Sequence, residues 1–333
     1  MSQPAYHLRP HKAVDRNLFC ETLRHLSRID DISRYRYVGF GSYEFDDFKM
    51  MYRNFGIEDM HSIEKELGIF VRQEFNKPYD FIKLYNKDCG TYIDESFDET
   101  QKCIFWLDFS NANDKESQCE DIVNLFSKVS EGNIIRITLN AHANNIESNR
   151  IDAETVCDNR GSFNSSDLNT AKRQKRLGAL RKSIGDYLPD GVVLEDVESS
   201  RYPYLLMKVI RRAAYKGLSD ELSICPICAY TYADGQRMLT VTLRVIDRYD
   251  RGVQIDKIKG IFSDWSEFVG IGDWEKIVPV ELPPLTLHEQ LELSQGIKTE
   301  IAETSMKTGI KKEDIEKFYK FLRYYPNYQP VII

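Results

Sequence analysis

Gly39 and Gly41, separated by Phe40 and followed by Ser42, come directly after the short β-type run Tyr35-Arg36-Tyr37-Val38. Glycines at a strand end let backbone approach a ligand closely. Glu44, Asp46 and Asp47 follow, at the opening of the next helical stretch. Carboxylates in a first helical turn complement the helix dipole; they would repel a pyrophosphate and attract a sulfonium or an ammonium group. A dinucleotide turn needs G-x-G-x-x-G, and Glu44 stands where its third glycine would be. Glu64 closes the next β-type run, and the step from Gly39 is close to the roughly 20 residues that separate a glycine turn from a ribose-binding carboxylate.

Two further strand ends carry chemistry. Asp108 ends Cys103-Ile104-Phe105-Trp106-Leu107, and Asn140-Ala141-His142 ends the run 133–139. Such ends form the rim at which open α/β sheets bind ligands. His142 has the ordinary pKa of a general base, although a histidine there also serves simply to cap a strand or loop. Asp108 and Asn140 partly echo a magnesium-binding set, but no Asp-Asn pair closes the fifth strand, so no metal is expected. Cys225-Pro226-Ile227-Cys228 is one Cys pair with no second. Structural zinc wants four ligands, and strand alternation would send these two thiols to opposite faces.

The elements that must position these residues alternate. An amphipathic helix is predicted over 8–29, with Val14, Leu18, Phe19, Leu23 and Leu26 at helical spacing. Strands are then predicted at 35–38, 59–64, 81–85, 103–107 and 133–139, with helices at about 43–55, 66–75 and 116–129. This order predicts a mostly parallel sheet with helices on both faces. A helix at 204–216 leads to two apolar runs, 224–233 and 238–246, around Asp234-Gly235, a strong hairpin signal. Between them, 143–200 reads as an insertion or lid. Its one ordered stretch, 171–188, puts Leu177, Leu180 and Ile184 along one side. Lys172, Arg173, Lys175 and Arg176, with Arg181 and Lys182, stand opposite.

Five β/α units and a closing hairpin resemble the class I S-adenosylmethionine-dependent methyltransferases over roughly 34–142 and 201–247. The chain as a whole also looks like bacterial O-methyltransferase-type proteins whose substrate is unnamed. The resemblance implies a Rossmann-like doubly wound sheet and S-adenosylmethionine as cofactor. It places Gly39, Gly41, Ser42, Glu44, Glu64 and Asp108 at that cofactor, with Glu64 on the ribose hydroxyls. Asp108, beside the reacting methyl group in many members, and His142 are the catalytic expectations. The alternative is a non-catalytic Rossmann-like binding or regulatory subunit, kept open by the missing third glycine.

The divisions expected are an N-terminal helical segment (1–30), a cofactor-binding core (31–142), the insertion (143–200), completion of the core with the hairpin (201–280) and a helical C-terminal appendage (281–333). In the appendage, Thr286 and Glu289 fit a capping box. The net charge of −7 argues against a chain that coats nucleic acid over its whole surface. The basic face of 172–176 still leaves a nucleotide or nucleic acid open as the acceptor, bound by Lys172, Arg173, Lys175 and Arg176. Opening residues Arg9, His11, Lys12 and Arg16 are a second, smaller basic group. No run reaches the roughly 18 apolar residues of a membrane span, and the opening segment has no apolar stretch behind its charges. Seven scattered cysteines suit a reducing cytoplasm. The tail aromatics would pack on the body, a second copy or a partner protein.

Overall fold

The computed structural model describes residues 9–109, 111–146, 165–296 and 300–326. Helix α1 (Pro10–Leu26) opens with Pro10, whose missing N–H costs nothing in a first turn. The parallel half of the sheet follows as β1 (Arg36–Gly39), α2 (Asp46–Phe55), β2 (Met60–Ile63), α3 (Leu67–Asn76), β3 (Ile82–Tyr85), α4 (Cys89–Glu95), β4 (Cys103–Asp108), α5 (Lys115–Lys128) and β5 (Ile134–Asn140). Then come α6 (Ser165–Ile184), α7 (Tyr202–Gly217), the hairpin β6 (Leu222–Asp234) and β7 (Gln236–Asp247), and α8 (Arg251–Ile261). The two-residue β8 (Val278–Pro279), α9 (Leu287–Gln295), α10 (Ile301–Thr308) and α11 (Lys312–Phe321) complete the described chain.

One sheet holds all eight strands in the order β3-β2-β1-β4-β5-β7-β6-β8. The pairs among β1 to β5 are parallel, β7 joins β5 antiparallel, and β6 pairs β7 through the Asp234-Gly235 turn. Gly235 takes φ +93°, the left-handed backbone such a turn demands. The chain order reverses between β1 and β4, which opens a crevice at their C-terminal ends.

Two cores flank this sheet. One face packs Val38, Phe105, Ile135 and Val241 against α4, α5, α6 and α7. The other packs Tyr37, Ile104, Trp106 and Tyr230 against α1, α2, α8 and the C-terminal residues Phe321 and Tyr324. Leu177, Leu180 and Ile184 of α6 are buried in the first core, so the stripe expected on that segment is real. Thr286 and Glu289 form the anticipated capping box on α9.

The hairpin departs from simple alternation at one point. The register between β6 and β7 shifts between Pro226 and Cys228, a bulge that inserts one residue. Cys225, Ile227 and Cys228 all enter the same core, so the expectation of thiols on opposite faces is corrected.

Candidate functional site

A cavity of about 670 Å³ lies at the C-terminal ends of the parallel strands. Four of the five parallel strands contribute through residues at or just beyond their ends. Phe40, Gly41 and Ser42 follow β1, Glu64 and Lys65 follow β2, Lys87 and Asp88 follow β3, and Asp108 and Phe109 close β4. The hairpin end adds Tyr232, Asp234, Gln236 and Met238, and α1 adds Arg9, Lys12 and Arg16.

The turn after β1 is crowded from within the protein. A Cβ at Gly41 would stand 2.3 Å from Ser62 Oγ and 3.2 Å from the Phe45 and Phe48 rings. Phe45 itself adopts φ 53°, ψ 31° immediately before α2, a left-handed conformation that costs a bulky residue strain. Gly41 is therefore required by packing against Ser62 and the two phenylalanines, whatever a ligand adds. At Gly39 the near neighbour is the Tyr37 hydroxyl, 2.8 Å from where a Cβ would be.

Glu64 Oε1 accepts the Glu66 N–H at 2.8 Å, which fixes the carboxylate at the end of β2. Burial raises its pKa above the usual carboxylate value. Asp88 caps α4, accepting the Thr91 N–H at 2.9 Å and the Thr91 hydroxyl at 2.7 Å, and these bonds hold its pKa low. Asp121 on α5 faces the same side of the cavity. Burial, then the neighbouring Asp88 and Glu120, push its pKa up to about 7.

The opposite end of the cavity is built by α1. Lys12 Nζ lies 2.9 Å from Asp108 Oδ2, with the Lys12 side chain only 5% exposed against 27% for Asp108. The same ammonium sits 4.9 Å from the centre of the Trp106 ring and 5.7 Å from that of Tyr232. Burial opposes the charge, but Asp108, Tyr232 and Asp15 outweigh it, and Lys12 titrates above its ordinary value. Asp234 accepts the Lys12 backbone N–H and meets His11 Nδ1, both at 2.8 Å. Arg16 Nε lies 2.6 Å from Asp47 Oδ1, and its Nη1 3.5 Å from Asp46 Oδ2.

Of the residues singled out in the sequence, Gly41, Ser42, Glu64 and Asp108 line the cavity together, and Gly39, Glu44 and His142 stand off its wall. Helix α2 starts at Asp46, so Glu44 lies in the turn before it, where its carbonyl accepts from Lys49 Nζ at 2.7 Å. Asp46 and Asp47 also line the cavity, each paired with Arg16. The His142 backbone N–H donates to Asn140 Oδ1 at 3.1 Å.

Lys172, Arg173, Lys175 and Arg176 do not line the cavity either. Arg173 pairs with Glu198 at 2.7 Å, and Arg176 donates to Asn144 Oδ1. Helix α6 packs beside α5, the residues before α7 and residues 143–146, which follow β5. Residues 147–164 of the insertion lie outside the described residues.

Sequence reading missed Lys87, Asp88 and Asp121, and it gave Arg9, Lys12 and Arg16, with His11, only as a second, smaller basic group. One signal was present: Asp88 opens a short helix directly after the third strand, where a rim residue belongs. Among the described residues, no group of three or more His, Cys, Asp or Glu side chains is placed to hold a metal ion. No helix among them is long and apolar enough to cross a membrane.

Comparison with known proteins bears on the same features. The model of a family described as "Putative O-methyltransferase" matches residues 4–333. No curated protein matches the chain. Among solved structures, it is similar to Trm1 from Pyrococcus horikoshii in complex with S-adenosyl-L-methionine, at 15% identity and TM-score 0.45, over 73% of this chain and 57% of that one. The chain thus spans little more than half the length of Trm1. It is also similar to an O-methyltransferase from Bacillus cereus in complex with SAH, at 11% identity and TM-score 0.37, over 72% and 84% of the two chains. A third is the N-methyltransferase NodS from Bradyrhizobium japonicum WM9, at 10% identity and TM-score 0.36, over 70% and 97%. With the family model spanning nearly its whole length, and the strand order of the Rossmann-like methyltransferases in its sheet, the chain belongs to that O-methyltransferase family.

Proposed function

We propose that the cavity binds S-adenosylmethionine and that the protein transfers its methyl group to an oxygen of a small acceptor. The observation that carries this is the convergence of Gly41, Glu64, Asp88 and Asp108, from the ends of four successive parallel strands, on one cavity. Its volume falls within the roughly 300–1,000 Å³ of small-molecule sites. The residues fit the donor chemically. Glu64 and Asp88 offer acceptors to the hydroxyls and exocyclic amine of an adenosyl group, and Asp108 offers a negative charge to a sulfonium. The bound donor supplies a methyl group on positively charged sulfur. Gly41, Phe40 and Phe109 line the same cavity, with the two phenylalanine rings 5.6 Å apart.

His142 has no place in this reading, because it does not reach the cavity. The basic face of α6 is likewise set apart from the acceptor. The scattered cysteines suit a protein of the cytoplasm. Calorimetric titration with S-adenosylmethionine, its demethylated product S-adenosylhomocysteine (SAH) and NAD⁺ tests the proposal. Binding of the first two and not the third supports it. Binding of none favours a non-catalytic subunit, and preference for NAD⁺ overturns it.

A further inference from the structure

We propose that the methyl acceptor is a carboxylate, held at the α1 end of the cavity by the Lys12 ammonium beside Asp108. This rests on the methyl-donor reading above and deepens it by naming the acceptor class.

The first support is the placement of Lys12. Its side chain is almost wholly buried, it lines the cavity, and its ammonium meets the Asp108 carboxylate and stands near the Trp106 and Tyr232 rings. An ammonium carries three N–H donors and Asp108 takes one, which leaves capacity for a ligand oxygen. A cation so largely removed from water favours an anionic partner and disfavours a cationic amine.

The second support is that the other acidic groups here are already engaged by α1. Asp46 and Asp47 meet Arg16, and Asp234 meets His11 and the Lys12 N–H. Burial opposes it, but the hydrogen bonds from His11 and Lys12 hold Asp234 below the usual carboxylate range. Asp234 is therefore a poor base, and Asp46 and Asp47 are held by Arg16 and not by the Lys12 ammonium.

The third is the absence of histidine among the described residues lining the cavity. An alcohol or an ammonium group must lose a proton to attack, and needs a base poised near neutrality. Asp121 has such a pKa, but it stands beside Asp88 at the other end. A carboxylate arrives ionised. One of its oxygens forms the new C–O bond to the methyl carbon as the C–S bond breaks, and the electron pair remains on sulfur. The products are a methyl ester and a neutral thioether, and no proton moves. Lys12 positions the acceptor by binding its second oxygen, while Tyr232 and Met238 border the space for its body.

The test uses the full chain saturated with SAH, titrated calorimetrically with benzoate, benzamide and benzylamine. SAH binding is measured first, in the parent and in the Lys12→Met and Lys12→Arg variants. Benzoate should bind about tenfold or more tighter than either neutral or cationic analogue. Lys12→Met should lose that preference while still binding SAH, and Lys12→Arg should keep part of it. Equal or stronger binding of benzamide or benzylamine, binding of none of the three, or unchanged benzoate binding in Lys12→Met overturns the inference. If SAH fails to bind the parent, the donor reading falls and this inference with it. If SAH binds and benzoate is not preferred, this inference alone falls.

Discussion

Asp15 on α1 and Arg136 in the middle of β5 form an ion pair at 2.6 Å in which neither side chain is exposed. Arg136 also donates to Thr242 Oγ1 at 2.7 Å, and its guanidinium lies 4.4 Å from the centre of the Phe19 ring and 4.8 Å from that of Trp106. Asp15 is one helical turn from Lys12. The buried pair therefore sets the register of α1 on the sheet, and that register delivers Lys12 to Asp108.

Breaking the pair should be costly. Arg136→Ala or Asp15→Ala alone leaves a buried charge without its partner and should cost about 3–5 kcal/mol in urea unfolding. Replacing both together, as Asp15→Leu with Arg136→Met, should recover much of that loss. Single variants as stable as the parent would show that α1 is held by its apolar face alone.

Gly41→Val should lower the melting temperature as well as SAH binding, by about 1–3 kcal/mol of stability for an overpacked site. The cause is Ser62 Oγ, 2.3 Å from the added Cβ. Gly41→Ala combined with Ser62→Ala should therefore melt higher than Gly41→Ala alone. Loss of binding with unchanged melting would show that only the ligand demands glycine there.

Asp121 makes stability fall as pH rises. Its folded pKa is pushed up to about 7, above the ordinary carboxylate value of 3.8, so the folded state holds the proton more tightly between those values. Stability from this group is intact below pH 3.8 and is lost as pH climbs through about 7. The faces around it carry Asp88, Glu120 and Asp94, with Lys65 as the opposing charge. Asp121→Asn should melt higher than the parent at pH 8, with the difference vanishing toward pH 4. A gap that is constant with pH would contradict this.

Arg173→Glu with Arg176→Glu should leave SAH binding unchanged at low and at high salt, because neither residue lines the cavity. A salt-dependent loss of SAH affinity in this variant would return the basic face of α6 to the site.

Much of the frame was legible because parallel strands buried on both faces read as short runs of β-branched and aromatic residues, as 133–139 does. Asp234-Gly235 marked the hairpin for the same local reason. Helix α4 escaped because seven residues, Cys89–Glu95, are too few to display an apolar period. The bulge at Pro226 escaped because alternation cannot reveal an inserted residue. The α1 end of the site escaped for a different reason. Periodicity counts apolar residues, so it gives Lys12 and Asp15 no partner on the sheet. Their partners Asp108 and Arg136 lie 96 and 121 residues further on. An arginine in the centre of a β-branched strand was the one trace of that pairing in the sequence.

A crystal structure of the full chain grown with SAH tests the central claim most directly. The account predicts density within the cavity, the ribose at Glu64, the adenine between Asp88 and Asp121, and the sulfur toward Asp108 and Lys12. SAH bound elsewhere on the protein, or seated with its adenine at the Lys12 end, would contradict it.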